Sequence, residues 1–440
     1  MAQAVEPGLS PDLTWGTSNA DQDRTAAAVK DIDSRWVRLN VEWNATETSP
    51  DTYDSWMLSH YDRGIAVARA AGQKVLMLVS QSPSWASGSS NKQSPPQNPA
   101  DYADFLRFLA TRWAGKVDAW EVWNEPNIDR FWPTGPDPAK YTALLKAAYP
   151  VIKSADPNAK VVFAGPSTND YKFIEDAYAA GAKDYFDVMG THPYSCNGPE
   201  SVAQKDGRIS QFSYLGYREI RKSMLARGDD KPIWFTEFGW STSTQQCGVS
   251  EATQADYLTK AFKLAAQDPY VQVAFWYNFR NNSWSHDADD IESRYGLLRT
   301  DYSHKPSYDA FKACAAGGCG AAPAPAAAPA PSSPLNVSLK VKRAAVKASS
   351  QSSRRSAAAS RAGRIILGQV TGAKSGRVTV TLQRLRQGRW TKSRVLRTAV
   401  ASSGEFSKRI SVKRGRWRVR ASYAASNGKS SAQSGFVRFK

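Results

Sequence analysis

The chain has 440 residues, of which 41% are hydrophobic and 22% are charged, and this composition excludes a wholly disordered protein. It contains no apolar run of 18 residues, so no transmembrane helix is predicted. The formal net charge is +18, but residues 321–440 carry 26 Lys and Arg and a single acid, Glu405, whereas the first 320 residues have a net charge of −7. Because the two parts have opposite signs, the whole-chain charge is no evidence for nucleic-acid binding.

Strand-like apolar runs alternate with helical patterns through roughly the first 300 residues. The predicted strands are residues 13–18, 36–42, 74–79, 119–124, 160–164, 187–191, 233–236 and 271–277. Helical patterns are clearest at residues 56–71, 102–113, 252–266 and 307–313. About eight strand–helix units in this length predict an α/β fold, a (β/α)8 or TIM barrel. A doubly wound sheet is the alternative.

A change of composition marks the end of this region. Residues 321–334 read AAPAPAAAPAPSSP, and alternating Ala and Pro favour an extended spacer. Beyond it the hydrophobic period becomes two, with apolar and basic residues alternating from 416 to 423. Short alternating strands predict a small all-β, immunoglobulin-like sandwich. We therefore expect a barrel domain at 9–320, a linker at 321–334 and a basic accessory domain at 335–440.

Four cysteines are present, and their spacing matches no usual zinc site. They are Cys196, Cys247, Cys314 and Cys319, for which three pairings are possible. Disulfides in an exported protein are the favoured interpretation, and four free thiols in a cytosolic protein are the alternative. The opening Met-Ala-Gln-Ala resembles the residues near a signal cleavage site, so we expect a secreted protein whose signal peptide was removed.

Two glutamates stand where predicted strands end. Glu125 follows the fourth strand in AWEVWNEPN, and Glu237 ends the seventh in PIWFTEFGWST. The carboxyl ends of barrel strands meet at one mouth, where strands four and seven lie nearly opposite, so the two side chains are expected to converge. Two facing carboxylates are the requirement for glycoside hydrolysis. A solvated or salt-bridged acid is the alternative for either residue alone.

Asn124-Glu125-Pro126, paired with Glu237, resembles the retaining glycoside hydrolases of the (β/α)8-barrel clan, most closely families 39 and 5. The resemblance covers about residues 12–313. It implies that Glu125 is the acid/base, that Glu237 is the nucleophile, and that Asn124 binds the sugar 2-hydroxyl. Such enzymes need no metal or organic cofactor, and none is expected here.

The same resemblance suggests further substrate-binding residues. His192 and Tyr194 in GTHPYS match the pair beside the nucleophile, Arg38 in VRLNVEW matches an arginine that contacts it, and Trp276 in FWYNF matches an aromatic platform. Three of these residues have a structural alternative: a packed imidazole for His192, loop packing for Tyr194 and a core ion pair for Arg38.

Position along the chain suggests two more aromatic platforms. Trp85 follows the third strand and Trp284 lies in the long loop after the eighth, and indole faces stack on sugar rings.

Cys196 and Cys247 follow strands six and seven, so a bridge between them would fix loops flanking Glu237. That pairing would leave Cys314 with Cys319.

The sequence therefore favours a secreted retaining glycosidase that cleaves, by double displacement, probable β bonds of a glycoside, oligosaccharide or polysaccharide. A catalytically idle carbohydrate- or cell-surface-binding protein is the alternative. For the basic C-terminal domain, an anionic cell-wall polymer or acidic polysaccharide is favoured over nucleic acid as the partner. The sugar, and exo or endo action, stay open.

Overall fold

The computed structural model describes residues 5–14, 17–282, 289–319, 336–343, 361–371, 377–387, 389–400, 405–413, 416–424, 431–434 and 436–439. The chain divides into two units, Met1–Ala322 and Pro323–Lys440. The predicted linker at 321–334 lies outside the described residues, so each unit is considered by itself.

Eight parallel strands form a closed barrel in the first unit. They are β1 (Glu6–Leu9), β2 (Trp36–Glu42), β3 (Lys74–Ser80), β4 (Ala119–Val122), β5 (Lys160–Phe163), β6 (Val188–Thr191), β7 (Ile233–Phe238) and β8 (Val271–Trp276). Each strand pairs with the next, and β1 pairs with β8. This closure confirms the TIM barrel and excludes the doubly wound alternative.

Eight longer helices lie between or after the strands. They are α1 (Asn19–Asp31), α2 (Ser55–Ala70), α3 (Pro99–Arg112), α4 (Pro138–Ala155), α5 (Tyr171–Ala179), α6 (Tyr217–Leu225), α7 (Glu251–Ala265) and α8 (Pro306–Ala313). Side-chain caps such as Ser18, Asp54 and Asn98 begin several of them. Among the described residues, no helix combines the length and apolar character that a bilayer span requires.

The first predicted strand is wrong. The first barrel strand is β1, Glu6–Leu9, whereas the described residues within 13–18 form a bend and the approach to α1. Ser18 and Asp21 exchange capping hydrogen bonds there, which commits this segment to starting a helix. The other seven predicted strands overlap β2 to β8.

An apolar layer inside the barrel supports the site. Trp36, Leu76, Ala119, Val162, Val188, Trp234, Val273 and Phe275 form one buried cluster. The rings of Trp36 and Trp234 lie 4.8 Å apart, edge to face. Side chains of a strand alternate between its two faces, so Arg38, two residues after Trp36, points into the same interior. Glu121, two residues after Ala119, does the same.

The second unit consists of two antiparallel sheets. β9 (Asn336–Arg343), β10 (Arg361–Thr371) and β13 (Glu405–Lys413) form one. The other contains β11 (Arg377–Arg386), β12 (Arg389–Ala399), β14 (Trp417–Ala424), β15 (Ser431–Gln433) and β16 (Val437–Phe439). Ile366 and Phe406 of one sheet share a core with Val380 and Val419 of the other. This arrangement confirms the small β-sandwich.

Candidate active site

Arg38 connects three strands inside the barrel. Its Nε donates to Glu121 at 2.7 Å, Nη1 to Glu237 at 2.6 Å and Nη2 to the Asn124 side-chain oxygen at 3.0 Å. The residue is only 7% exposed, so its charge needs these partners. All three nitrogens of the guanidinium therefore have a partner, and the group links β2 to β7 and to the end of β4.

Glu237, at the carboxyl end of β7, receives a second donor. The Tyr194 hydroxyl, just beyond β6, donates to the Glu237 carboxylate at 2.9 Å. Burial alone raises the pKa of Glu237, but the charges of His192 and Arg38 and the hydrogen bonds from Tyr194 and Arg38 outweigh it and hold the pKa below its usual value. Burial raises the pKa of Tyr194, which therefore stays a neutral donor. The carboxylate form of Glu237 is favoured.

Glu125 is aimed inward by an unusual turn of the backbone. After β4 ends, Trp123 and Glu125 both adopt positive φ, at 75° and 39°. Glu125 is 8% exposed, and one of its carboxylate oxygens lies 2.8 Å from His192 Nδ1. The other ring nitrogen lies 3.0 Å from the Thr236 hydroxyl. Burial lowers the pKa of His192, but Glu237 and Glu125 raise it more, so its pKa lies above the ordinary value.

The two carboxylates face each other across a short gap. One oxygen of each, together with a His192 nitrogen, lies within 4.8 Å of the others. By distance alone these three groups could hold a metal ion. However, the Glu237 oxygens already accept from Arg38 and Tyr194, and the Arg38 charge 2.6 Å away repels a cation. The donor set therefore fits paired acid and base chemistry better than metal binding.

A cavity of about 590 Å³ opens beside Glu237 and Asn124. Most of its lining residues are polar, and they come from β2, β3 and β7 and from the segments that follow β1, β3, β4 and β8. Three buried oxygens on this lining, in Ser10, Asn40 and Gln81, have no hydrogen-bond partner among the described residues. Unpaired buried acceptors favour a ligand rich in hydroxyl groups.

Six residues predicted for the site lie in one network: Arg38, Asn124, Glu125, His192, Tyr194 and Glu237. Of the predicted aromatic platforms, Trp85 and Trp276 do not join it. Trp85 is half-buried, packs edge to face against Trp43 and donates to the Glu47 carbonyl, and it is not among the residues that line the cavity. Trp284 lies outside the described residues.

The platform role predicted for Trp276 is wrong. The side chain is fully buried, packs against Phe238 and Trp240, and donates to the Tyr295 carbonyl. Phe275 occupies the barrel interior, so strand alternation turns Trp276 outward towards the helices. No ring face of Trp276 is available to a sugar.

Three residues of the network were not predicted from the sequence. Glu121 accepts from Arg38 and from the Gly165 amide, and Thr236 contacts His192. Gly165 leaves room for His192, because a Cβ atom there would lie 2.3 Å from the imidazole. Strand alternation could have found Glu121, which stands two residues after Ala119 on the inward face of β4. The sequence around Gly165 carries no comparable signal.

Two disulfides are present in the first unit. Cys196 pairs with Cys247 and thereby links the segments that follow β6 and β7. Trp240 donates to the Asn197 carbonyl across the same two segments. Cys314 pairs with Cys319 just after α8. The first bridge therefore fixes the loops that carry Tyr194 and flank Glu237.

The fold and the site define a TIM-barrel protein with paired carboxylates at the carboxyl ends of β4 and β7. A family model described as cellulase (glycosyl hydrolase family 5) matches residues 3–282. The match covers more than half of the chain, and the chain belongs to this family.

Curated relatives include a probable glucan 1,3-beta-glucosidase A of Aspergillus fumigatus, 27% identical over 245 residues, which are 50% of this chain and 53% of the relative. A beta-xylosidase of Caldicellulosiruptor saccharolyticus is 26% identical over 245 residues, 50% of this chain and 46% of the relative. The chain thus spans about half the length of the curated relatives it matches.

Two solved structures share the fold. A family 39 glycoside hydrolase from Bacteroides cellulosilyticus WH2 has a TM-score of 0.59 at 20% identity, covering 94% of this chain and 81% of that one. A monomeric beta-xylosidase from Caulobacter crescentus CB15 has a TM-score of 0.55 at 17% identity, covering 94% and 95%. At these identities the likeness concerns the fold alone.

Gly165→Ala is expected to move His192 away from Glu125, because the new Cβ atom would overlap the imidazole. Both carboxylates raise the pKa of His192, so the displaced ring should titrate at lower pH. NMR titration measures this shift, since the chain has only four histidines. The overpacking should cost about 1–3 kcal/mol of stability. His60, on α2, is the internal reference and should not shift; an unchanged His192 signal would contradict the steric argument.

Proposed function

We propose that the protein is a retaining glycoside hydrolase. The observation that carries the proposal is the approach of Glu125 and Glu237, whose nearest oxygens lie within 4.8 Å. Retaining enzymes hold their carboxyl groups about 5–5.5 Å apart, whereas inverting enzymes leave about 6.5–9.5 Å for a water molecule. Membership of glycosyl hydrolase family 5 supports the same chemistry.

In the first step, Glu237 attacks the anomeric carbon while Glu125 donates a proton to the departing oxygen. Arg38 and Tyr194 keep Glu237 ionised and hold its carboxylate in place. The Glu237–carbon bond forms as the glycosidic bond breaks, which leaves a covalent glycosyl-enzyme. Asn124, fixed by Arg38, is placed to bind a sugar hydroxyl beside the anomeric carbon.

In the second step, Glu125 takes a proton from water, and the water oxygen replaces Glu237 on the anomeric carbon. His192 Nδ1 lies 2.8 Å from a Glu125 oxygen, and the pKa of His192 lies above its ordinary value, so the ring suits a donor to the Glu125 carboxylate in this step. Thr236 holds the far side of the imidazole. The two inversions together return the original configuration.

We infer that the substrate carries a β-linked neutral sugar. The matched relatives are named a glucan 1,3-beta-glucosidase and a beta-xylosidase, which makes β-glucosides and β-xylosides the first compounds to test. The cavity supports this class, because its unpaired acceptors on Ser10, Asn40 and Gln81 suit hydroxyl donors. We also propose secretion, for which the two disulfides are the supporting observation.

Glu237→Ala should abolish hydrolysis of an aryl β-glycoside, and azide should restore turnover with an inverted glycosyl azide as product, since the small anion occupies the vacated space. Glu125→Ala should form the intermediate from an activated aryl glycoside but release it slowly. Turnover and product configuration, followed by NMR, test both roles. Normal turnover of an unactivated substrate by Glu125→Ala would refute the acid/base assignment.

Tyr194→Phe should move the acidic limb of the pH profile of kcat/KM to higher pH. The lost hydrogen bond stabilises the Glu237 carboxylate, so its removal raises the pKa of Glu237. A hydrogen bond to a charged group contributes about 1.5–3 kcal/mol, which corresponds to a shift on the order of one pH unit. Tyr295→Phe removes a neighbouring hydroxyl, with ring centroids 5.7 Å apart, and is the control. Equal profiles for both variants would contradict this role of Tyr194.

We propose that the C-terminal unit is an accessory module that binds an anionic cell-wall polymer or acidic polysaccharide. On its larger sheet, the Arg418 guanidinium lies 4.8 Å from the Trp390 ring centroid and 4.0 Å from that of Phe436. Gln383 accepts from Arg418 Nε at 2.6 Å, and Arg420 lies over the same Phe436 ring. Stacked, oriented guanidinium groups suit carboxylates or phosphates along a polymer.

Deleting residues 321–440 should leave turnover of a small soluble glycoside nearly unchanged, because every residue assigned to the site precedes residue 283. The deletion should weaken retention on an anionic gel, and salt should do the same to the full chain through screening and counterion release. Arg418→Gln in the full chain tests the stack of Arg418 on Trp390 and Phe436, and it should weaken retention on the anionic gel. Lys340→Gln, on the other sheet, is the control. Loss of small-substrate turnover by a folded truncated protein would contradict a separate module.

A further inference from the structure

Two loops that start on opposite sides of the barrel meet at its mouth. Arg130 lies in the turn that follows β4, and Glu292 lies in the segment that follows β8. In the closed order of eight strands, β4 and β8 stand four positions apart, which places them across the mouth from each other. Arg130 Nη1 nevertheless lies 3.2 Å from the Glu292 carboxylate. This ion pair, the mouth bridge, therefore joins a segment that follows β4 to one that follows β8.

The Glu292 end of the mouth bridge is anchored to the barrel rim. The Ser241 hydroxyl, after β7, donates to the Ile291 carbonyl at 2.6 Å. The Asn282 backbone amide donates to the Ser293 carbonyl at 3.1 Å. The residues on both sides of Glu292 are thus held by hydrogen bonds, so its carboxylate projects from a fixed segment.

The Arg130 end is anchored to the turn that carries Glu125. The Ile128 amide donates to the Glu125 carbonyl at 3.3 Å, and the Phe131 amide donates to the Ile128 carbonyl at 3.1 Å. Trp123 Nε1 donates to the Phe131 carbonyl at 2.9 Å. Arg130 therefore stands on the same hydrogen-bonded turn that carries Glu125, and its guanidinium also lies 5.3 Å from the Phe131 ring centroid.

The mouth bridge borders the cavity. Phe131, next to Arg130, and Asn282, which contacts the Glu292 segment, both line it. Glu292 also lies near both carboxylates: burial raises its pKa, the Arg130 charge opposes this, and the charges of Glu237 and Glu125 raise it further. The bridge therefore lies at the edge of the cavity, beside residues that line it.

We propose that the mouth bridge restricts the enzyme to chain ends of a neutral β-linked glycan. A polymer can lie sideways in an open cleft, but a bridge between opposite rims stops the middle of a chain from entering. A chain end can still pass beneath it. Arg130 and Glu292 would then decide between exo and endo action without touching the reacting atoms, and this inference rests on the function proposed above.

The test compares internal cutting with end-wise release. Soluble β-glucan and β-xylan are incubated with the full chain, and the ratio of viscosity loss to new reducing ends is measured. The unmodified protein should give small products and little viscosity loss. Arg130→Gln and Glu292→Gln should each raise the ratio about two- to fivefold, the shift in a closed-to-open ratio that an exposed ion pair supplies. The double exchange Arg130→Glu with Glu292→Arg should restore end-wise release.

Arg107→Gln, which breaks an exposed ion pair with Asp104 on α3, is the matched control and should not change the ratio. High salt should raise the ratio of the unmodified protein but not that of the single variants. An unmodified protein that cuts internally, or single variants with an unchanged ratio, would overturn the mouth bridge as the determinant. Failure of the folded, unmodified protein to hydrolyse any aryl β-glycoside or polymer would instead refute the proposed function.

Discussion

The buried charge of Arg38 is the interaction on which the site depends. A guanidinium in the barrel interior is stable only when carboxylates and hydrogen-bond acceptors surround it, and breaking such a group is costly because a charge is left without a partner. Glu121, Glu237 and Asn124 supply those acceptors at 2.6–3.0 Å. Arg38 also orients Asn124 and, after the charge of His192, contributes to the lowered pKa of Glu237, so the same buried group acts on both structure and electrostatics.

The fold could be read from the sequence because its signals are local. Strands β2 to β8 are rich in apolar residues, as buried parallel strands require, and the helices between them keep a 3.6-residue period. Strand β1 was not predicted because its four residues, Glu6-Pro-Gly-Leu9, have little β-propensity. Its pairing with β8 and β2 makes it a strand. A strand of that kind exists through tertiary contacts, which no local pattern reports.

Some predicted site residues have a direction that follows from their strand, and others depend on contacts that the sequence does not show. Arg38 lies within β2, so alternation suffices to aim it into the barrel. Glu237 lies near the carboxyl end of β7, where the register shifts between Phe235 and Phe238, so its direction does not follow from alternation alone. Trp276 shows the opposite case, since Phe275 faces the interior and alternation turns its neighbour outward. Trp85 depends on loop packing against Trp43, and a sequence position after a strand does not reveal which way such a ring faces.

The buried charges of the site give its two facing carboxylates different partners. Arg38 binds Glu121 and Glu237, whereas the His192 ring lies beside Glu125. Both Glu237 and Glu125 raise the pKa of His192 against the effect of burial. Glu237 accepts from Arg38 and Tyr194, which favour its carboxylate form, and Glu125 lies 2.8 Å from His192 Nδ1. These different surroundings suit the proposed division between a nucleophile and an acid, which a double displacement needs.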